Sequence, residues 1–470
     1  MVFQNNVLSG AAGSGTTVHT IDQSIRFNDD DSPYMSRTQQ AGNQTTWTIS
    51  CWVKIGNIPG NFTIWSVHTG YQSYAQIRSI GGLEFAVGNG SSSASYHRLT
   101  RLLRDPSAWY HLVMVFDSTN AASSERARIY INGERQLDFS NTGSWSQSYS
   151  SNVNSTQTMY IGEQGTGGNH MDGYIAEFVQ IDGQALDPSN FAETNSSGIW
   201  VPKDVSGLTF GTNGCHIDGR DASDLGDDES GNGNDFTTYN LAASDQVTDT
   251  PTNNFCTLNP NDNRGTPGTL SEGNLKMAFA ATNDNVTGTF GMSSGKWYWE
   301  AYIVDNNNTY IGVQDSGIAA TGYTASAVAL WYGGFIYENN SDTGDRAIAT
   351  SGAAYSNGDV VGVAFDADNK KIWWSKNGQW YTANSSSTST IAISEVVAGN
   401  SAQVITRSPD FFMPFFGNYT HSTAIFNFGQ EGTFSGNKTA GGNSDGNGVG
   451  NFFSAVPSGF LALCTKNLGS

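Results

Sequence analysis

Residues 47–55 read Trp47-Thr48-Ile49-Ser50-Cys51-Trp52-Val53-Lys54-Ile55. Apolar side chains stand at every second position of this stretch, at residues 47, 49, 51, 53 and 55, and Thr48, Ser50 and Lys54 stand between them. Successive side chains of a β-strand point to opposite faces of its sheet. The alternation therefore indicates an antiparallel strand with one buried face.

Further strands are predicted on both sides of this one. Residues 109–117 are apolar on both faces, which predicts a central strand. Residues 128–137 hold Asn132-Gly133 between short apolar runs, and Asn-Gly supplies the positive φ angles of a two-residue hairpin turn. We find no helical apolar period sustained over about 11 residues. Strands spaced in this way, with turn signals between them, favour a β-sandwich.

Length and composition extend this interpretation to the whole chain. At 470 residues the chain is too long for one hydrophobic core, so more than one domain is expected. It contains 55 glycines, 12% aromatic residues and only 14% charged residues. Many short strands joined by tight turns require such a composition. The sequence predicts an all-β protein made of two antiparallel β-sandwiches.

The composition changes near residue 203. Acidic residues crowd together with Gly and Asn over 218–235, and residues 249–268 are rich in Pro, Asn, Asp and Thr. We predict an N-terminal arm at 1–20, a first β-sandwich at 21–202 and an acidic Gly- and Asn-rich connector at 203–268. A second β-sandwich is predicted at 269–435, and a Gly-rich loop with a C-terminal segment at 436–470.

The charge balance excludes some classes of partner. Asp and Glu number 42 against 22 Lys and Arg, which gives a formal net charge of −20. Because affinity for phosphate backbones comes largely from Lys and Arg, we expect no nucleic-acid partner and no anionic membrane partner. No apolar run approaches the ~18 residues that a membrane span needs. The N-terminal residues lack the basic and apolar regions of a signal peptide, so a soluble protein is expected.

The cysteines show no metal-binding spacing. Cys51, Cys215, Cys256 and Cys464 are too far apart in sequence for a CxxC pair. Cys51 lies inside an apolar strand, where a buried free thiol is expected. Four cysteines allow three pairings, and a Cys215–Cys256 bridge remains an alternative.

The first block resembles the laminin-G/pentraxin/concanavalin-like family over about residues 18–200. Short matching pieces carry the resemblance in order, at residues 24–27, 47–53, 109–113, 129–133, 160–162 and 171–178. Their order and spacing are more specific than any single piece. The resemblance implies a jelly-roll β-sandwich of the concanavalin type.

The second block resembles SPRY domains over about residues 270–435. Residues 358–366 lead through a polar turn at 367–371 to Ile372-Trp373-Trp374-Ser375-Lys376-Asn377-Gly378. The family's usual last strand matches Phe426-Asn427-Phe428-Gly429-Gln430. The resemblance implies a second, SPRY-like β-sandwich.

The pairing of the two blocks resembles virion proteins of tailed bacteriophages. The residues that match this group lie at 3–13, 230–236, 249–255 and 460–468. The resemblance implies a tail-fibre, appendage or capsid-associated protein on the virion surface, made in the cytoplasm of the bacterial host. It also implies contacts with other virion proteins and a homo-oligomer, for which a trimer is one arrangement.

Catalysis requires groups that the sequence does not bring together. Concanavalin-like hydrolases usually carry two acids on one strand. The best strand-borne acids are Glu163, Glu177 and Glu300, and none has an acid two residues away on the same face. We therefore predict that the chain is not an enzyme.

One segment has the composition of a calcium-binding loop. Residues 218–235 combine carboxylates, Asn amides and flexible glycines, and calcium takes six to eight oxygen ligands. The candidate ligands are Asp221, Asp224, Asp227, Asp228, Asn232, Asn234 and Asp235. The segment lacks EF-hand spacing, and the alternative is a solvated acidic turn.

Two tracts combine aromatic and polar residues in the way that carbohydrate sites do. The candidates for ligand contact are Trp65, His68, Tyr71 and Tyr74 in the first block and Trp331, Tyr332 and Tyr337 in the second. The alternative for each aromatic residue is a place in the core. Three functions follow: recognition of a host-surface glycan or protein, an architectural role in the virion, and glycan depolymerisation, in that order of preference.

Overall fold

A computed structural model describes residues 19–57, 60–68, 72–90, 94–165, 167–317, 326–340, 344–350, 353–383 and 389–468. The chain divides into two compact units. The first spans Ala11–Asn253, and the second contains Asn254–Ser470.

Two sheets form the first unit. Sheet 1 has eight strands. Seven follow one another in the order β10 (Glu134–Arg135), β9 (Ala127–Ile131), β8 (Trp109–Asp117), β3 (Thr46–Ile55), β13 (Gly173–Asp182), β1 (Ser24–Phe27) and β18 (Gln246–Val247). The remaining strand, β16 (Cys215–Ile217), pairs with β13.

Sheet 2 also has eight strands. Their order is β11 (Phe139–Asn141), β7 (Ser95–Leu102), β6 (Gly82–Val87), β5 (Ser73–Ile77), β4 (Phe62–Val67), β12 (Thr158–Ile161), β2 (Tyr34–Thr38) and β17 (Thr237–Tyr239). A separate two-stranded ribbon consists of β14 (Ala192–Thr194) and β15 (Trp200–Pro202).

The alternating residues of β3 form part of the core between these sheets. Trp47, Ile49, Cys51, Val53 and Ile55 belong to one buried cluster with apolar residues of sheet 2. Strand β8 pairs with β3 on one side and β9 on the other, so the predicted central strand is confirmed. The β9–β10 hairpin turns at Asn132 and Gly133, with φ angles of 50° and 79°.

The structure differs from the predicted connector at 203–268. Strand β16 pairs with β13 and β18 with β1, whereas β17 completes sheet 2 beside β2. Phe210, which follows residue 203, packs with Val205 on the outer face of sheet 1. An acidic, Asn-rich composition predicts a segment rich in turns. The apolar residues scattered through this segment nevertheless pair with strands of both sheets and pack on sheet 1.

Two further sheets form the second unit. Sheet 3 has seven strands. They are β19 (Leu258–Arg264), β22 (Asn285–Gly288), β33 (Phe412–Asn418), β24 (Thr309–Asp315), β25 (Ala327–Trp331), β26 (Phe335–Asn340) and β27 (Gly344–Thr350), in spatial order.

Sheet 4 has ten strands. The path runs through β20 (Thr269–Ser271), β21 (Lys276–Phe279), β34 (Ser422–Asn427), β23 (Lys296–Asp305), β28 (Val360–Asp366), β29 (Lys371–Lys376), β30 (Gln379–Tyr381) and β31 (Thr390–Ile391). Strand β32 (Gln403–Val404) pairs with β29, and β35 (Leu461–Ala462) lies parallel to β23.

The C-terminal segment, residues 436–470, is part of the second unit. Its Phe452 and Phe460 are fully buried with Tyr298 and Trp373 on the outer face of sheet 4. Beside them lies the fully buried Glu300, whose carboxylate accepts hydrogen bonds from the backbone N–H groups of residues 453 and 454, each at 2.8 Å. The segment predicted to follow the domain thus covers one of its faces.

Helical structure is sparse in the part of the chain that the structure describes. One α-helix, α1 (Ile393–Val397), and short 3-10 turns at Asp29–Asp31, Ser123–Glu125, Pro188–Asn190 and Ala243–Asp245 are present. The all-β prediction is confirmed. Cys51, Cys215, Cys256 and Cys464 are buried free thiols, so the alternative bridge between Cys215 and Cys256 is absent.

Candidate functional site

The outer face of sheet 2 carries a row of tyrosine side chains. Cross-strand register aligns Tyr160 of β12, Ser66 of β4, Tyr74 of β5, Ala86 of β6 and Tyr96 of β7. Both sequence neighbours of Tyr160, Ser66 and Ala86 lie in the core cluster, and so does Ala75 beside Tyr74, so this row faces outward. The three tyrosines are half-buried. We call Tyr160, Tyr74 and Tyr96 the tyrosine row.

The register fixes the spacing of the tyrosine row. Tyr160 and Tyr74 are separated by one intervening strand, and so are Tyr74 and Tyr96. Neighbouring strands lie about 4.8 Å apart, so the tyrosines recur at about 10 Å across the sheet. A regular spacing perpendicular to the strands suits a ligand that extends across the sheet.

A stacked tyrosine pair continues this aromatic surface to the edge of the sheet. Tyr34 of β2 and Tyr239 of β17 are cross-strand neighbours with ring centroids 4.4 Å apart and an interplanar angle of 10°. The Tyr34 ring lies 6.2 Å from that of Tyr160. Tyr239 is 42% exposed, so the pair presents a ring face to solvent.

Charged groups accompany the other end of the row. The Tyr74 hydroxyl donates to Glu84 Oε1 at 2.6 Å, and Arg98 Nε donates to Glu84 Oε2 at 2.7 Å. The Arg98 guanidinium also lies 5.3 Å from the centre of the Tyr96 ring. The aromatic rings and the donor groups of this face are therefore held in place by one another.

The loop after β12 crosses the face between Tyr160 and Tyr74. Ser66 Oγ donates to the Glu163 carbonyl at 2.9 Å and accepts from the N–H of Gly165 at 3.1 Å. Burial raises the pKa of the Glu163 carboxyl to about 7. His170 Nδ1 lies 3.6 Å from Glu163 Oε2. A carboxyl group that is partly neutral near pH 7 therefore stands beside the aromatic surface.

The predicted ligand contacts of the first block have different outcomes. Tyr74 lies in the tyrosine row. Trp65 is corrected: it is fully buried, and its ring packs at 6.0 Å against Trp47, because a register shift in β4 puts both Ile64 and Trp65 in the core. His68 is half-buried directly after β4, with a φ of 74°. Tyr71 lies outside the described residues.

The aromatic residues of the second block divide between two faces. Trp331 and Tyr337 meet on the outer face of sheet 3, with centroids 6.0 Å apart, and pack on Phe415. Tyr332 packs partly against the core between sheets 3 and 4. Phe335 beside Trp331 is 41% exposed. Ligand contact by Trp331, Tyr332 and Tyr337 stays a prediction.

The predicted calcium ligands lie in the loop between β16 and β17. Asp228 and Asn234 are buried, and their side chains organise the loop: Asp228 Oδ2 accepts from Asn234 N–H at 2.8 Å. Burial, with the charges of three neighbouring aspartates, raises the pKa of Asp227. The exposed candidates are Asp221, Asp224, Asn232 and Asp235. Calcium binding by this loop stays a prediction.

A β-bulge redirects Glu177. Strand β13 pairs with β3 at Ala176 and again at Val179, so Glu177 and Phe178 together oppose one residue of β3. Glu177 adopts a φ of 50°, which the bulge accommodates. Strict alternation would place Ile175 and Glu177 on the same face, but the extra residue puts Ile175 and Phe178 in the core instead.

The redirected Glu177 meets two residues that sequence reasoning did not connect with it. Its Oε2 lies 2.6 Å from His216 Nε2, and ligand atoms of Glu177, His216 and Asp218 all lie within 4.8 Å of one another. Burial opposes protonation of His216, but the hydrogen bond and charge of Glu177 outweigh it and raise the pKa of His216. The sequence signal that could have indicated this group is His216-Ile217-Asp218, in which two potential metal ligands flank an apolar residue within the predicted connector.

A nearby Ser–His pair lacks the geometry of an activated nucleophile. Ser50 Oγ lies 2.8 Å from His111 Nε2, and Trp200 Nε1 donates to His111 Nδ1 at 3.0 Å. Because Nδ1 accepts, the neutral ring carries its hydrogen on Nε2 and donates to Ser50. Burial lowers the pKa of His111 to about 3. His111 therefore cannot serve as a base toward Ser50 in this arrangement.

Two family models match the chain. Residues 28–190 match a laminin-G model described as the concanavalin A-like lectin/glucanases superfamily. Residues 296–431 match the SPRY domain. The chain thus carries a concanavalin-like domain followed by a SPRY domain, in the order in which the two units occur. No curated protein matches the chain.

Solved structures resemble the chain at low sequence identity. The SPRY domain of human HERC1 is 16% identical over 36% of this chain and 96% of its own, with a TM-score of 0.28. A heptameric SAP-like pentraxin from Limulus polyphemus is 19% identical over 36% of this chain and 79% of its own, with a TM-score of 0.26. Domains LG4-5 of the mouse laminin alpha1 chain are 10% identical over 87% of this chain and 90% of their own, with a TM-score of 0.30.

Among the described residues, no helix has the length and apolar character that would be needed to cross a membrane.

Proposed function

We propose that this chain is a non-catalytic glycan-binding protein of a bacteriophage virion surface and that it holds an extended polysaccharide on the outer face of sheet 2. The tyrosine row carries the proposal. Two observations support it: the row lies in the domain that matches a lectin/glucanase superfamily, and its rings are spaced evenly across the strands.

Tyrosine rings on this face suit sugars in two ways. The apolar C–H face of a pyranose stacks on an aromatic ring, and the phenolic hydroxyl exchanges hydrogen bonds with sugar hydroxyls. Arg98 and Gln164 add side-chain donors beside the rings. The net charge of −20 disfavours polyanionic ligands, so a neutral polysaccharide is the expected class.

The spacing favours a chain over a single sugar. Successive rings of an extended polysaccharide repeat at a distance close to the strand spacing of about 4.8 Å. Tyr74 and Tyr96, which lie on one side of the loop at 163–165, would then contact every second sugar of a chain that runs perpendicular to the strands. Affinity should rise with oligosaccharide length until every tyrosine is covered.

The virion assignment rests on the resemblance of the chain to virion proteins of tailed bacteriophages. The partners proposed on this basis are a host-surface glycan, other virion proteins and further copies of the chain. Weak single sites gain avidity of about 10²–10⁴ when several copies bind together. A homo-oligomer on the particle would therefore turn a weak polysaccharide site into firm attachment.

Binding is tested on arrays of oligosaccharides of increasing length. Tyr74→Ala and Tyr96→Ala should each weaken binding of long ligands by about 5- to 30-fold, as expected for the loss of a stacking contact of roughly 1–2 kcal/mol. Tyr419→Ala is the matched control, because Tyr419 is 49% exposed in the second unit and lies outside the row. Equal affinity of wild type and both row variants would remove the tyrosine row as the site.

The virion role is tested by adsorption competition. Clustered protein should bind susceptible bacterial cells and slow phage adsorption, whereas the Tyr74→Ala, Tyr96→Ala double variant should do neither. Clustered protein that ignores cells but binds particles lacking it would favour an architectural role. Release of sugars from host polysaccharide by the wild type would favour depolymerisation.

A further inference from the structure

We propose that Glu177, His216 and Asp218 form a binding site for a zinc-class divalent metal ion on the outer side of sheet 1. The site is independent of the tyrosine row, which lies on sheet 2. All three side chains are buried, and one ligand atom from each lies within 4.8 Å of the other two. They are the one such group among the residues that the structure describes.

The pairing of two strands creates this convergence. His216 and Asp218 are two residues apart in an extended segment, so their side chains share one face. Strand β13 pairs with β16 through Phe178–Ile217 and Val179–His216, and the same antiparallel register places Glu177 opposite Asp218. The bulge at Glu177 turns that side chain toward the pair. Three ligands thus approach one point from the same side.

Outer partners fix the orientation of the ligands. The backbone N–H of His216 donates to Asp228 Oδ1 at 2.8 Å, and Asp218 Oδ1 accepts from the backbone N–H of Arg220 at 2.9 Å. The Phe210 ring lies parallel to the imidazole, with centroids 6.5 Å apart and an interplanar angle of 12°. Such partners reduce the reorganisation that a metal ion would require of its ligands.

The donor set selects the class of ion. One imidazole nitrogen and two carboxylate oxygens suit zinc, which takes four ligands and accepts both donor types. Calcium prefers six to eight oxygen ligands and is expected to bind this set poorly. Glu177 also lines a small depression together with Trp52 and Lys203, so one of the three ligands lies next to the surface of the unit.

Arg220 would compete with a metal ion for the Asp218 carboxylate. Its Nε lies 2.5 Å from Asp218 Oδ2, whereas 59% of its side chain is exposed. The metal-free site is held by this ion pair and by the His216–Glu177 hydrogen bond. When a metal ion binds, the hydrogen shared by His216 Nε2 and Glu177 Oε2 would leave to solvent as a proton, and the ion would take its place. The Arg220 guanidinium would move away from Asp218 into water.

The test is calorimetric titration of the chelator-treated full chain with zinc chloride, followed by the absorption spectrum of its cobalt(II) complex. Wild type should bind one ion per chain, and His216→Gln and Glu177→Gln should each lower the affinity at least about 100-fold, more than loss of an outer partner. Arg220→Ser should raise the affinity, which a merely structural network would not do. His421→Gln, with an exposed imidazole in the second unit, is the matched control.

Two results would overturn the site. One is the absence of stoichiometric zinc uptake by wild type and by Arg220→Ser. The other is uptake that survives in both ligand variants, which would place the ion elsewhere. Melting curves of every variant show whether it is folded, and Arg220→Ser provides a readout even if a ligand variant fails to fold. Tight binding of calcium in place of zinc would contradict the donor-set argument.

Discussion

At the scale of single residues, the first unit depends on a buried ion pair. Lys54 Nζ lies 2.7 Å from Asp249 Oδ2, and the two side chains are 1% and 0% exposed. The Trp109 indole donates to Asp249 Oδ1 at 3.0 Å. The pair joins β3 to residue 249, which lies in the predicted connector just after β18. Removal of either partner of a buried ion pair is costly, because it leaves the other charge buried without that compensation.

Removal of this carboxylate should destabilise the first unit strongly. Asp249→Ala removes a carboxylate that is paired with the buried Lys54 ammonium, which costs roughly 3–5 kcal/mol of the free energy of unfolding. Glu134→Ala is the matched control, because the Arg101–Glu134 pair is 42% and 74% exposed and should contribute less than about 1 kcal/mol. Denaturant unfolding measures both. Similar small losses would mean that the pair is not buried as described.

Two buried histidines should make the first unit sensitive to acid. Burial lowers the pKa of His97 to about 4 and that of His111 to about 3. Below the ordinary histidine pKa of about 6.5, these imidazoles are protonated in the unfolded chain but stay neutral in the folded unit. The free energy of unfolding therefore falls as the pH is lowered from about 6.5 toward 4, by up to about 1.4 kcal/mol per pH unit for each histidine. Glu163 opposes this trend above its ordinary pKa, because its folded carboxyl keeps a proton up to about pH 7.

Melting temperatures between pH 7 and pH 4 test this dependence. His111→Gln and His97→Gln should each flatten the pH profile of the first unit, whatever they do to its stability at pH 7. Profiles parallel to that of wild type would show that these imidazoles titrate normally.

At the scale of elements, the C-terminal segment acts as an outer layer of sheet 4. Phe460 is fully buried, and its ring meets Trp373 edge to face at 5.9 Å. Strand β35 pairs in parallel with β23. Buried Glu300 accepts two backbone hydrogen bonds from the same segment. Sheet 4 is therefore apolar on both faces, which explains the paired tryptophans 373 and 374 of β29.

Truncation of the buried Phe460 side chain should show how much the C-terminal segment contributes to the stability of the second unit. Phe460→Ala removes a fully buried ring and should cost the second unit roughly 3–5 kcal/mol. Val404→Ala, at a residue that is 50% exposed in the same unit, should change stability by about 0.5 kcal/mol or less. Thermal or denaturant unfolding distinguishes them. A negligible effect of Phe460→Ala would mean that the C-terminal segment is dispensable.

At the scale of the whole molecule, the division between units falls after Asn253. Strands β16, β17 and β18 complete the first unit, and Asp249 neutralises Lys54 within it. Strand β19 begins the second unit by pairing with β22. The segment first interpreted as a connector thus contributes to both units.

Fragments of the chain test this boundary. Fragments 11–253 and 254–470 should each fold, with β-type circular dichroism and a cooperative melt. Fragment 11–202 lacks three strands and the partner of Lys54, so it should be unfolded or aggregate. Cooperative folding of 11–202 would instead restore the connector interpretation.

Local patterning was enough to predict the strands and the two sandwich classes. The alternation in residues 47–55, which Trp52 interrupts on the polar face, and the Asn132-Gly133 turn are visible in the sequence itself, because the direction of a side chain in a strand and the φ angles of a turn depend mainly on neighbouring residues. Tyr74 was identified in the same way, as an aromatic residue in a polar tract. The inward direction of Trp65 could not be predicted in this way, because an irregularity between Thr63 and Trp65 breaks the alternation and puts both Ile64 and Trp65 in the core.

Only the tertiary structure decided which distant residues meet. The tyrosine row depends on the register of five strands, which brings residues 74, 96 and 160 into line across sheet 2. One extra residue at the Glu177 bulge reverses parity, and only the pairing of β13 with β16 supplies His216 and Asp218. Register and bulges arise from packing between segments far apart in sequence, so the local pattern could supply the candidate residues but not the site that they form.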